Sequence, residues 1–212
     1  MRKPKEKIKT ETKKVLLAQY GGTEDDTVVG EFETIENQHA KYASSIGSLI
    51  ISFAELEHSV DDEVATAISD RAHEPGYRII KYLKFRDKIN FLNDHYSAYI
   101  KFLGSKSRQR FLFAELKIIY NKLCELSEFR NKVAHADWPS LDTLGFVRTK
   151  ISENREDVGM QLEKFKMTPG VLVKFRKQNE SLSNRICLFR EKIENAHNLE
   201  DRRRYLKMES SK

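Results

Sequence analysis

Between Leu112 and Val133 the apolar residues fall at steps of three and four: Leu112, Leu116, Ile119, Leu123, Leu126 and Val133. Arg130 stands where the series wants one more apolar side chain. Such spacing lines up one face of an α-helix and excludes a strand, whose side chains alternate every second residue. The period predicts a long amphipathic helix that must bury its stripe against other elements. It ends near Ala136–Asp137, because Pro139 disfavours helical backbone at Trp138.

The same period recurs elsewhere. From about 33 to 69, Ile46, Leu49, Ile50, Phe53, Leu56, Val60, Val64 and Ile68 share a face, and Glu57 falls on that stripe. Glu74-Pro75-Gly76 then breaks the chain. A second helix follows over roughly 85–103, with Phe85, Ile89, Leu92, Tyr96, Tyr99 and Leu103 on its apolar side and Gly104 as its stop. Thr168-Pro169 reads as a cap and a first-turn proline for a last helix reaching about Leu199. Its apolar face is Leu172, Phe175, Leu182, Ile186, Phe189 and Ile193. Two β-rich stretches, Thr143–Ile151 and Val158–Met167, flank the polar Ser152–Asp157 and suggest a small two-stranded excursion.

With four prolines and nine glycines in 212 residues, turns are few and elements long. The expected fold is all-α: four to five long helices with a β-hairpin-like insertion at 143–167, before the last helix. Residues 1–30 read as a flexible basic arm with a short helix around Val15–Tyr20, 31–199 as the helical domain, and 200–212 as a charged tail.

Charge and cysteine content narrow the setting. Hydrophobic residues make up 39% and charged residues 33%, so the chain can build a core and stay soluble. The net charge is +6, with seven Lys/Arg against two Glu in residues 1–14 and Arg202-Arg203-Arg204 near the other end. Two readings stand for these runs: solvated tails, or non-specific attraction of RNA. No apolar run is long enough to cross a bilayer and MRKPKEKIKTETKK lacks a secretory apolar segment, so the expectation is cytoplasmic with no membrane partner. Cys124 and Cys187 stand singly and read as reduced thiols.

Phe129-Arg130-Asn131-Lys132-Val133-Ala134-His135-Ala136-Asp137-Trp138 is the segment that carries chemistry. A guanidinium on an apolar stripe calls for an anion, a ligand or a polar pocket. Asn131 and His135 are four residues apart and share a helix face, and His135 lies about 140° round the helix from Arg130. The set can hold phosphate through Arg130 and move protons through His135. Trp138 and Tyr120 can stack on bases, although a tryptophan in this place more often covers a helix end.

Competing sites are weak. His39, His58, His73, His95 and His197 form no HxH, HxxxH or HExxH pattern, so neither metal nor cofactor is expected. There is no Gly-rich phosphate loop and no GxSxG elbow. Asp61-Asp62-Glu63 reads as a solvated acidic turn of helix.

The Arg130-to-His135 segment resembles the motif of the HEPN superfamily, an arginine followed after four to six residues by a histidine, with a polar residue directly after the arginine. The context, a long third helix ending at the motif, is similar too, and the likeness covers about 33–196. The resemblance implies a helical homodimer that cleaves RNA without metal. Each subunit would supply Arg130 to hold the scissile phosphate, His135 for proton transfer, and Asn131 to orient His135 or the phosphate. The products would be a 2′,3′-cyclic phosphate and a 5′-hydroxyl. Glu57 would either pair with a cation at the core's edge or orient Arg130 or His135 from behind. The resemblance further implies a toxin–antitoxin or anti-phage defence role, with a cognate antitoxin or defence-system partner. The alternative it leaves open is a catalytically inert HEPN module for dimerisation or for nucleotide or RNA binding, with Arg130 paired to a core carboxylate and His135 capping its helix.

Overall fold

In the computed structural model the described residues are 12–16, 29–69, 73–142, 144–154 and 159–209, with side chains described for Thr12, Ala40, 42–69, 74–142, 144–150, 163–201 and Glu209. The elements in chain order are β1 (Thr12–Leu16), α1 (Val29–Ile68), α2 (His73–Ile80), α3 (Phe85–Lys101), α4 (Lys106–Ala134), a short 3-10 turn (Trp138–Ser140), β2 (Phe146–Asn154), β3 (Gly159–Lys166) and α5 (Pro169–Glu209). The chain is mostly helical, and no described helix is long and apolar enough to cross a membrane.

The described residues divide into two compact units, one from 1–50 and 129–176 and the other from 51–128 and 177–212. The span 31–199, read from sequence as one helical domain, is therefore shared between them.

The first unit is built on an antiparallel sheet of order β1-β3-β2. Val147 pairs with Phe165, and Arg148 with Lys164, before a bulge at Arg148–Lys150 shifts the register. Val147, Phe165, Met167, Leu172, Phe129 and Val133 are buried. The Phe129 ring stacks on Phe175 at 3.4 Å and 5°, with Phe165 6.0 Å away. Gly145 turns the chain into β2 with φ +83°, a conformation that side chains strain to adopt. A Cβ there would meet the Tyr42 hydroxyl and the Thr168 methyl at 3.2 Å.

Three expectations are corrected here. Thr12–Leu16 is a strand, not part of a coil or of a helix around Val15–Tyr20, because β3 offers it an edge to pair with. The rest of the arm, 1–11 and 17–28, lies outside the described residues. The insertion is accordingly one part of a three-stranded sheet. On α4 the buried side chain between Leu126 and Val133 is Phe129, while Arg130 is half-buried. Steps of three then four satisfy the helical period as well as four then three, and the aromatic ring has more apolar surface to remove from water.

The second unit packs the outer portions of α1, α4 and α5 with α2 and α3. Its core holds Phe53, Leu56, Val60, Val64, Ile89, Leu92, Ile100, Leu116, Leu123, Ile186 and Phe189. Pro75 does not break the chain: it sits in the first turn of α2, where a missing N–H leaves no helical bond unmade. Gly76 is needed because a Cβ would lie 2.5 Å from the Ala65 carbonyl oxygen of α1. The acidic triplet is not a solvated turn: Glu63 is buried, and Asp61 pairs with the buried Lys88 at 2.7 Å. Four residues from Leu56 to Val60 and three more to Glu63 put that carboxylate on the core stripe. α5 runs ten residues past Leu199, so the segment after 199 begins as helix and not as a tail.

Candidate functional site at the end of α4

Arg130, Asn131 and His135 come from the last turn of α4 and the residue after it, all within the first unit. Packing on one side of that turn determines what the other side shows. Phe129 and Val133 are buried, and the Lys132 ammonium lies 4.5 Å from the centre of the Phe165 ring. Asn131 and His135 are left exposed and Arg130 half-exposed.

The helix stops for identifiable reasons. The Trp138 indole N–H donates to the Val133 carbonyl at 3.0 Å, satisfying one of the acceptors that every helix C-terminus leaves unpaired. Trp138 thus covers a helix end, and its ring lies 6.0 Å from that of Tyr42. Asp137 then joins the sheet: its N–H donates to the Arg148 carbonyl at 2.8 Å, and its carboxylate pairs with the Arg148 guanidinium. Ser140 adds a hydroxyl bond to the Asp137 carbonyl at 2.6 Å and accepts from the Arg148 N–H at 2.8 Å. The segment from Phe129 to Ser140 is thereby fixed at both ends, by rings before the motif and by a clamp on β2 after it.

Within the motif, Arg130 Nη1 donates to Asn131 Oδ1 at 3.1 Å. The His135 N–H donates to the Asn131 carbonyl at 3.0 Å, which continues the helical bonding by one residue. Asn131 therefore touches both other residues of the motif, Arg130 through its side chain and His135 through its main chain. The chemistry available is that of a half-exposed guanidinium, which can donate to phosphate oxygens, and of an exposed imidazole, which can transfer protons.

The sheet beside the motif is basic. In register, Lys164 on β3 stands between Lys13 on β1 and Arg148 on β2. Like charges opposite one another on neighbouring strands disfavour the sheet unless counter-charges intervene. Asp137 supplies one for Arg148, and Asp142 lies 4.0 Å from Lys164.

Glu57 is half-buried on the stretch of α1 assigned to the second unit, and Arg130, Asn131 and His135 lie in the first. Tyr120 is also in the second unit, its hydroxyl donating to Asn90 at 3.1 Å. Cys124 is half-buried and Cys187 exposed, both as free thiols. The Asp137–Arg148 clamp leaves no signal in the sequence. The opposite charges are eleven residues apart, and nothing local announces that β2 folds back onto the helix end.

No family model matches the chain, and neither a curated protein nor a solved structure is significantly similar to it.

Proposed function

We propose that the chain is a metal-independent endoribonuclease of HEPN type, acting as a homodimer with its α4 helices close to the twofold axis. The observation that carries this reading is the pairing of Arg130 with Asn131 beside an accessible His135 on a helix end clamped to a basic sheet. Arg130 holds a non-bridging oxygen of the scissile phosphate and steadies its growing charge. The RNA 2′-oxygen attacks the adjacent phosphorus, a P–O2′ bond forms, and the P–O5′ bond breaks. One subunit's His135 takes the 2′-hydroxyl proton, and the other subunit's His135 gives a proton to the departing 5′-oxygen. The products are a 2′,3′-cyclic phosphate and a 5′-hydroxyl.

Arg130 and His135 form a sparse set in one subunit, and a twofold doubles it. Asn131 serves as a positioning residue for Arg130. The net charge of +6 favours approach of a polyanion. A ribonuclease of this kind suits a toxin–antitoxin or anti-phage defence role in the cytoplasm, with a cognate restraining partner. Digestion of RNA in the presence of a chelator, with analysis of the product ends, tests the reading.

A second reading, an inert dimerisation or RNA-binding module, draws on Lys164 and Arg148, paired across β3 and β2, which can attract phosphates without cutting anything. In that case Lys164→Ala weakens RNA binding, and no RNA is cut by the variant or its parent.

A further inference from the structure

A cleft of about 210 Å³ opens among α1, α3 and α5 in the second unit, and the nuclease chemistry uses none of it. Its ionic side starts from Glu63, which is 7% exposed. One carboxylate oxygen accepts from the Tyr96 hydroxyl at 2.6 Å, and the other lies 3.1 Å from Arg190 Nη1. A buried carboxylate persists only when so paired. Arg190 also reaches toward Glu194, with Nε 3.7 Å from the carboxylate. The Glu194 side chain is 62% exposed, so this second carboxylate stands at the mouth and is only weakly neutralised.

The other side is aromatic. The Tyr99 ring, 47% exposed, lies 4.8 Å from His95 and 5.5 Å from His197. His197 Nε2 sits 3.0 Å from the Tyr99 carbonyl, which can only accept, so that nitrogen carries the proton. Burial pushes the His95 imidazole below its ordinary pKa, so it adds a ring and no charge near pH 7.

Charge decides among ligands. Glu63 and Arg190 cancel, which leaves Glu194 and a net charge of about −1 beside an exposed aromatic ring. A phosphate would face two carboxylates for one guanidinium. A hard metal ion wants several converging oxygen or nitrogen ligands, and among the described residues no such group of three forms. An organic cation is met on both counts, by an aromatic ring and by a carboxylate. We propose that this cleft binds a small organic ammonium ion, seated against Tyr99 with Glu194 as its counter-ion.

Titration of the full chain with tetramethylammonium and with spermidine, followed by NMR shifts of Tyr99 and of Thr66, which also lines the cleft, tests this. Uridine monophosphate serves as the anionic comparison. Saturable binding of a cation in the high-micromolar to millimolar range is expected, on the order of 1 mM. Glu194→Gln should weaken it about threefold and Tyr99→Leu about fivefold, with melting unchanged because both side chains are exposed. The proposal is overturned if neither cation saturates, if both variants bind as tightly as the parent, or if only the nucleotide moves these signals. None of those results touches the nuclease reading, whose residues lie in the other unit.

Discussion

Arg130 Nη1 donates to Asn131 Oδ1 across 3.1 Å, between side chains adjacent in sequence at the end of α4. The amide accepts one guanidinium N–H and so orients the group that the proposed mechanism sets against phosphate. Asn131→Ala should lower RNA cleavage on the order of tenfold, since Arg130 must then be ordered by the substrate. Asn131→Asp should lower it further, about a hundredfold, because a carboxylate there competes with phosphate for Arg130. Single-turnover rates check both. A fully active Asn131→Asp protein would show that Arg130 does not meet the substrate.

Arg130→Ala and His135→Ala should each reduce cleavage at least about a hundredfold. Neither side chain is buried, so the melting temperature should move by no more than about 3 °C. Melting curves measured beside cleavage rates separate the two roles. Collapse of both together, in both variants, would make these residues structural.

Phe129 carries the packing that Arg130 does not. Its ring is 5% exposed and lies against Phe175 and Phe165. Phe129→Ala should cost about 3–5 kcal/mol in denaturant unfolding. A loss below about 1 kcal/mol would return the core position to Arg130.

Glu63 gives a signed pH dependence in the second unit. Burial, the largest cause, pushes its carboxyl above the ordinary 4.5, against the lowering effects of the Tyr96 hydrogen bond and Arg190. In the window between the unfolded and folded values the native state holds more protons than the unfolded one. Stability from this group is therefore complete below about 4.5 and declines as pH rises through the raised folded value. Glu63→Gln should flatten that decline in urea midpoints taken across this range. An unchanged pH profile would mean that Glu63 titrates as it does in the unfolded chain.

Sedimentation at micromolar concentration should show the homodimer, with the two α4 helices contributing one shared cleft. A monomer that keeps its activity would contradict the arrangement.

Sequence spacing revealed much of this fold and less of its site. Leu112 to Leu126, Ile89 to Tyr96 and Leu172 to Ile193 follow a 3.6-residue period, a local signal, whereas Tyr99, expected on the apolar face of α3, is half-exposed and Ile100 beside it is buried. β1 was invisible because five residues become a strand only when β3 lies beside them. The Glu74-Pro75-Gly76 tripeptide hid α2, since proline is as much at home in a first turn as in a break. At the motif, the order Phe129-Arg130 left the apolar register open by one residue, and burial chose the ring. Glu57 and Glu63 both lie on helical stripes, yet only burial distinguished the half-buried carboxylate from the one held by Tyr96 and Arg190. Those partners are 33 and 127 residues from Glu63, beyond any local pattern.

RNA cleavage by Arg130 and His135 without a metal is open to direct test. The most direct measurement is digestion of end-labelled RNA by the purified chain in excess EDTA, beside His135→Ala, with the product ends identified. Cleavage should survive the chelator, yield 2′,3′-cyclic phosphate and 5′-hydroxyl ends, and disappear in His135→Ala. Activity that stops with EDTA and returns with Mg²⁺, or that His135→Ala retains in full, would contradict it.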